Sequence, residues 1–290
     1  MYFLFSFPQT LRTDLKALIS CTEYETPEIP TKETTMGTSL LEVKDLTMRF
    51  GGVTALNELS FNIESDEICG LIGPNGAGKT TLFNVISRIY DPTSGTVHFE
   101  DNNLLKSSAS QIAKMGISRT FQNLALWPRM TVLENVMCGA HVKGTQNFLS
   151  AMFRIGLRNE EQGLQHLSNT ILESLNLMEF ANQPCEGLPF GTMKRIELAR
   201  ALVNKPKLLL LDEPATGLNH SEVNELSNVI VSIREEFDLT ILLVEHHMGM
   251  VMGISDKVVV LDFGSKIAEG TPTEIQENSD VISAYLGETK

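Results

Sequence analysis

The chain has 290 residues, 42% of them hydrophobic, with 23 Lys+Arg against 36 Asp+Glu and a formal net charge of −13. This is enough apolar material for one large domain or a core with a subdomain, and the acidic balance lacks the clustered cations that nucleic-acid binding through counterion release requires. The four cysteines, Cys21, Cys69, Cys138 and Cys185, form no C-x-x-C pair; they suit neither a zinc site nor a disulfide framework and read as reduced thiols in a cytosolic setting.

Residues 1–37 join a short apolar patch to a polar, Thr/Glu/Pro-rich run. They have neither the basic start of a signal peptide nor an Arg-rich transit composition. Met36 stands just before "GTSLLEVKDL", where patterned structure begins. The segment is expected to be a mobile tail or the product of an upstream start codon, outside the chemistry. No run approaches the roughly 18 to 20 apolar residues of a membrane span.

Leu41 and Val43, then Leu59, Phe61 and Ile63, alternate with polar residues and predict half-buried strands. "ICGLI" (68–72) is short and continuously apolar, as a fully buried strand is. It feeds "GPNGAGKTT" (73–81), after which Leu82, Ile86 and Ile89 fall on one helical face. "DPTSGTVHFEDN" turns on Pro92 and Gly95 into a short strand with Val97 and Phe99. Residues 131–188 read as helical, with Leu164, Leu167, Ile171, Leu175 and Met178 in register. Buried strands return at "KLLLLDEP" (207–214) and "TILLVEHH" (240–247), separated by a helix carrying Val223, Leu226, Ile230 and Ile233. Residues 257–270 have hairpin character. The alternation implies an α/β fold with a mainly parallel, covered sheet and a helical insertion.

Gly73, Gly78, Lys79 and Thr80 match G-x-x-x-x-G-K-[ST] in the strand–loop–helix setting that a phosphate cradle requires. Gly73, Gly76 and Gly78 let the backbone take positive φ and come close to an anion. The N–H groups of the stretch Gly73, Pro74, Asn75, Gly76, Ala77, Gly78, Lys79, Thr80 and Thr81, apart from the proline's, would face phosphates at a helix N-terminus. Lys79 would meet the β and γ oxygens, and the Thr80 hydroxyl would ligate Mg²⁺. The plainer reading is a tight turn ahead of a helix.

Asp212 and Glu213 end an apolar strand. Successive strand residues point to opposite sides, so Asp212 is expected on Mg²⁺, through water, and Glu213 on the attacking water as general base. Alone, such a pair is a solvated strand end. His246 would contact the γ-phosphate, with His247 its rival by adjacency. Gln122 follows the short strand "GISRTF" and suits both Mg²⁺ ligation and water orientation.

These pieces in this order, with "LPFGTMKRIELARAL" (188–202) ahead of "LLLLDEP", resemble the ATP-binding subunits of ABC transporters over residues 38–290. The resemblance implies a P-loop NTPase (RecA-like) core with a mainly parallel sheet and an antiparallel β subdomain, at 38–122 and 204–290. An inserted helical subdomain would fill 123–203. It implies ATP and Mg²⁺ as cofactors, and a head-to-tail pair of ATPase subunits with ATP sandwiched at two interfaces. Phe50 in "MRFGG" then matches the aromatic that stacks on adenine; without the family it is equally a packed strand-end residue. Gln122 matches the Q-loop, Asp212 and Glu213 the Walker B pair, residues 215–219 the D-loop, and His246 the switch histidine.

Two departures stand out. The usual L-S-G-G-Q is Leu188-Pro189-Phe190-Gly191-Thr192, without its serine, and the D-loop aspartate is Asn219. Leu188, Gly191 and the following helix start still offer an anion contact, and Pro189 is tolerable at a helix beginning. The composite site completed by this segment is expected to be the weaker of the two.

Within the family the likeness is to the branched-chain amino-acid importer ATPases, in particular the larger, G-type subunit. "FGGVTALNELSF", "ISRTFQNLALWPRMTVLENV", "EPATGLNHSEV" and the ending "AYLGE" carry it, and the length of residues 141–182 suits it. Trp127 and Pro128 fall where such subunits receive the permease; packing inside the helical subdomain is the alternative. The implied partners are two permease chains, a second ATPase subunit (the same or different) and, indirectly, a solute-binding protein, with no nucleic acid. The implied location is peripheral, on the cytoplasmic face of the inner membrane. Other cargoes (urea, other amino acids, exported lipid) remain open, as does a soluble ABC ATPase of repair or translation, which the net charge and the lack of heptads disfavour.

Overall fold

The computed structural model describes residues 39–120, 124–140 and 157–286. The expected N-terminal extension and Gln122 lie outside the described residues.

Strands β1 (Ser39–Phe50) and β2 (Val53–Glu64) pair antiparallel, with Val43 opposite Phe61 and Leu46 opposite Leu59. Leu41, Val43, Leu46, Leu59, Phe61 and Ile63 are buried in one core, with a register shift between Val43 and Leu46 interrupting the strand alternation, while Phe50 and Val53 at the turn are exposed. The chain then enters β3 (Ile68–Ile72), turns through the glycine loop and forms helix α1 (Lys79–Ile86). It returns to the first sheet as β4 (Ser94–Phe99) and β5 (Asn102–Asn103), giving the order β2-β1-β4-β5. Helix α2 (Ala109–Met115) leads into β6 (Ile117–Arg119). Helices α3 (Val132–Cys138), α4 (Leu157–Ser174) and α5 (Phe190–Leu202) follow. Next come β7 (Leu208–Asp212), α6 (His220–Glu236), β8 (Thr240–Val244) and α7 (Met248–Ile254). The hairpin of β9 (Lys257–Asp262) and β10 (Ser265–Gly270), then α8 (Pro272–Glu277) and α9 (Ser279–Leu286), complete the fold.

The second sheet has the order β10-β9-β3-β8-β7-β6 and is parallel except for β10. Its central strands are buried on both faces, so their residues divide between two cores. Cys69, Leu71, Leu208, Leu210, Leu242, Val244, Val259 and Leu261 pack toward α1 and the antiparallel sheet. Ile68, Ile72, Leu209, Leu211, Ile241, Leu243, Val258 and Val260 pack toward α3 to α9. A period of two on each strand, with both phases apolar, is what "LLLL" and "VVVL" encode.

The helical face expected through Ile89 stops earlier. α1 ends at Ile86; Arg88 takes φ 59°, and the N–H groups of Ile89 and Tyr90 both donate to the Asn84 carbonyl. That turn swings Ile89 outward, to 55% exposure. Met178 likewise leaves the α4 register, in a 3₁₀ turn, and is exposed. Val223, Leu226, Ile230 and Ile233 are all buried on α6, as their spacing predicts.

Candidate nucleotide-binding site

The site begins where β3, buried along its whole length, delivers the chain to Gly73. Gly73 has φ 151°, and a Cβ there would overlap the Leu261 carbonyl of neighbouring β9. Gly78 has φ 104°, and its Cβ would stand 2.5 Å from the Ala55 carbonyl. Only glycine fits both demands. The loop closes on itself through Ala77 N–H to the Pro74 carbonyl at 3.1 Å. Asn75, Gly76 and Thr80 are exposed, Pro74 and Thr81 half-buried, Ala77 buried.

Lys79 opens α1, is nearly buried, and donates from Nζ to the carbonyls of Gly73 at 2.7 Å and Pro74 at 3.0 Å. Burial pushes its pKa down, and the charge of Glu213 works against that shift. The loop lysine and the β7-end carboxylate therefore lie within electrostatic reach of each other.

Asp212 and Glu213 do part company, but not by strand alternation. Asp212 is the last residue of β7 and is buried. Glu213 takes φ 50°, a left-handed turn that leaves the strand while its N–H still donates to the Val244 carbonyl at 2.8 Å. Its Oε1 lies 2.9 Å from His246 Nε2, and its Oε2 accepts from Thr216 Oγ1 at 3.4 Å. Of the two adjacent histidines, His246 meets the carboxylate; His247 is the N-terminal cap of α7.

Asp212 Oδ2 instead accepts from Arg119 Nη2 at 2.7 Å. Arg119 ends β6, donates from Nη1 to Asn84 Oδ1 at 2.9 Å and Ser87 Oγ at 3.1 Å, and lies over the Phe83 ring. It joins β6, β7 and α1 through one planar fork. Sequence reasoning passed over it. The available signal was a basic residue at the end of the short strand "GISRTF", next to a buried acidic strand end.

Phe50 closes β1 at 44% exposure, its ring meeting Tyr90 edge-on with centroids 5.3 Å apart. The signature segment sits at the start of α5, with Pro189 as N-terminal cap and Leu188 half-buried before it. Gly191 lies beside the Glu222 carboxylate, and the Phe190 ring lies beside Gly217. Asn219 caps α6: its Oδ1 accepts from Glu222 N–H at 3.0 Å, while Glu222 Oε2 accepts from Asn219 N–H at 2.9 Å. Asparagine does that work as well as aspartate.

A glycine loop with a buried lysine after β3, and two carboxylates at the end of β7, two places away in the sheet, define a P-loop nucleotide-binding cassette. Residues 56–216 match the family described as ABC transporter, and residues 265–290 match the branched-chain amino acid ATP-binding cassette transporter family. The chain is 44% identical over 254 residues to the high-affinity branched-chain amino acid transport ATP-binding protein LivG of Salmonella typhimurium, covering 87% of this chain and all of that one. Among solved structures it is similar to the ADP conformation of MJ1267, an ATP-binding cassette of an ABC transporter (TM-score 0.76, 29% identity, 87% of this chain and 100% of that one). It is also similar to the dimeric bacterial ABC transporter cassette MJ0796 (TM-score 0.67, 25% identity, 80% and 98%). The chain belongs to the ATP-binding subunits of ABC transporters, in the group of the branched-chain amino acid ATPases.

Proposed function

We propose that this chain hydrolyses Mg-ATP on the cytoplasmic face of the inner membrane to drive an importer of branched-chain amino acids. The observation that carries the reading is the Glu213–His246 contact at 2.9 Å, within electrostatic reach of Lys79 in the phosphate loop. Glu213 takes a proton from the water whose oxygen attacks the γ-phosphorus; the bond to the β–γ bridging oxygen breaks, and ADP and phosphate leave. His246 holds the γ-phosphate, Lys79 meets the β and γ oxygens, and the N–H groups of the loop complete the cradle. The donors suit a hard cation that prefers oxygen: the exposed Thr80 hydroxyl, the Asp212 carboxylate through water, and Gln122. Mg²⁺ held there would supply charge neutralisation to the phosphates. Phe50, with nearly half its surface open, stacks on adenine.

The permease has a place to dock. A groove of about 570 Å³ runs between α2 and β6 on one side and α3 and α5 on the other, lined by Ile89, Ile112, Trp127 and Arg200 among others. Trp127 is half-exposed, and the Arg200 guanidinium lies over its ring at 5.8 Å, which presents the indole to the groove. An apolar permease segment in this groove would hold the subunit at the membrane. No helix among the described residues is long and apolar enough to cross one. A second ATPase subunit completes the nucleotide site with its own signature segment, and a solute-binding protein delivers cargo to the permease.

The test is Glu213→Gln in the assembled transporter. ATP binding is expected to survive while hydrolysis and leucine uptake into vesicles are lost. Hydrolysis at the wild-type rate by that variant would remove Glu213 from the chemistry, and leucine-independent transport would reassign the cargo.

A further inference from the structure

Two side chains tie the ends of β7 and β8 together, beside the backbone bond from Glu213 N–H to the Val244 carbonyl. One tie is Glu213 reaching from the β7 end to His246. The other runs in the opposite direction. Glu245, between Val244 and His246, is 1% exposed and turns its carboxylate back toward the β7 end. Its Oε1 accepts from Ala215 N–H at 2.6 Å. Its Oε2 accepts from His246 N–H at 2.8 Å and His247 N–H at 3.2 Å. A buried carboxylate is costly unless its lone pairs are met, and here three backbone donors from two separate turns meet them.

We infer that Glu245 is a positioning residue for ATP hydrolysis: it fixes the backbone of the His246 turn against the Ala215 turn, and so holds the His246 ring against Glu213. This rests on the catalytic reading of Glu213 and His246 given above. The two ties cross, one side chain going each way. Neither turn can shift without pulling on the other, and Ala215 is only two residues beyond Glu213. The hydrogen bonds of Glu245 all lie outside the phosphate loop, so nucleotide affinity should not depend on it.

The chemistry of the side chain makes this testable. Both carboxylate oxygens face N–H donors. A glutamine of equal size has one acceptor oxygen, and its NH₂ must face either Ala215 N–H or the His246/His247 pair, donor against donor. Glu245→Gln therefore keeps the packing and breaks one half of the tie. Glu245→Asp keeps the charge but falls a methylene short of spanning both turns.

The experiment uses the assembled transporter, with this subunit carrying Glu245→Gln, Glu245→Asp, His246→Ala, or Glu245→Gln with His246→Ala. It reads kcat and KM for ATP, ADP affinity, and single-turnover rates at enzyme excess so that low residual activity is measurable. Glu245→Gln is expected to lower kcat by roughly tenfold to a hundredfold, the range that a small misplacement of reacting groups costs. KM and ADP affinity should stay within about twofold. Glu245→Asp should show the same split. In the His246→Ala background, Glu245→Gln should cost less than about twofold more, because its effect passes through that histidine.

If His246→Ala slows hydrolysis and Glu245→Gln leaves kcat unchanged, the inference is overturned while the catalytic site stands. If the two losses multiply in full, or if both Glu245 variants lose ADP affinity in step with kcat, Glu245 serves the fold and the inference fails. If His246→Ala has no effect, the reading of the Glu213–His246 pair fails first.

Discussion

Two helix beginnings, those of α1 and α5, use the same device to different depths. Neither has a side-chain cap. By contrast α3, α6 and α8 close their first turns with the capping boxes Thr131–Glu134, Asn219–Glu222 and Thr271–Glu274, satisfying N–H groups that otherwise need another acceptor. α1 supplements its open N-terminus with a glycine loop locked against Ala55 and Leu261 and with the Lys79 ammonium. α5 begins with Pro189, an exposed Phe190, and Gly191 beside an acidic side chain. On the proposed function, the first is an anion site within one polypeptide and the second adds to a site that another polypeptide supplies.

Lys79→Ala should show the largest effect, a fall in kcat/KM for ATP of about a hundredfold to a thousandfold, measured by steady-state hydrolysis with nucleotide retention as control. Retained binding would put α1 on a par with α5 and erase the contrast. Gly73→Ala should cost about 2 to 3 kcal/mol of stability, because its Cβ meets a fixed carbonyl. Gly191→Ala, whose Cβ would stand 3.3 Å from a Glu222 oxygen, should change stability by under about 1 kcal/mol. Denaturant melts of both variants sharpen the comparison, and equal losses would contradict it.

Arg119→Gln leaves buried Asp212 without its guanidinium partner and should cost about 3 kcal/mol, with a raised Mg²⁺ requirement for hydrolysis; unchanged melting would show that the pair is dispensable. Pro189→Ser tests α5 directly. In the assembled complex it should raise hydrolysis several-fold at the composite site completed by this segment, and a slower or unchanged rate counts against that site being the weaker. Smallest of all, Asn219→Asp should leave stability within about 0.5 kcal/mol, since both side chains cap α6.

The phosphate loop could be read directly because its requirements are local: each glycine answers a backbone demand within nine consecutive residues, and the flanking strand and helix announce themselves by period. The buried strands were equally legible in "LLLLD" and "TILLV". Arg119 and Glu245 were not, for a common reason. Each has a partner at the end of an adjacent parallel strand and far away in the chain, Asp212 for Arg119 and Ala215, just past β7, for Glu245. That Asp212 and Glu213 point apart was anticipated, and they do reach different partners, though through a left-handed turn at Glu213 rather than by strand alternation. Ile89 was misplaced because a helical period cannot show where Arg88 ends the helix.

Composition, pattern and motif thus anticipated the layered α/β architecture, the glycine loop between β3 and α1, and the family, all of which depend on residues close in sequence or on the period of burial. Which histidine faces Glu213, what neutralises Asp212 and how the two strand ends are clasped came from folding alone. Parallel neighbours are joined by long crossovers, so their pairing register, and every side-chain contact it creates at the strand ends, is absent from any local stretch of chain.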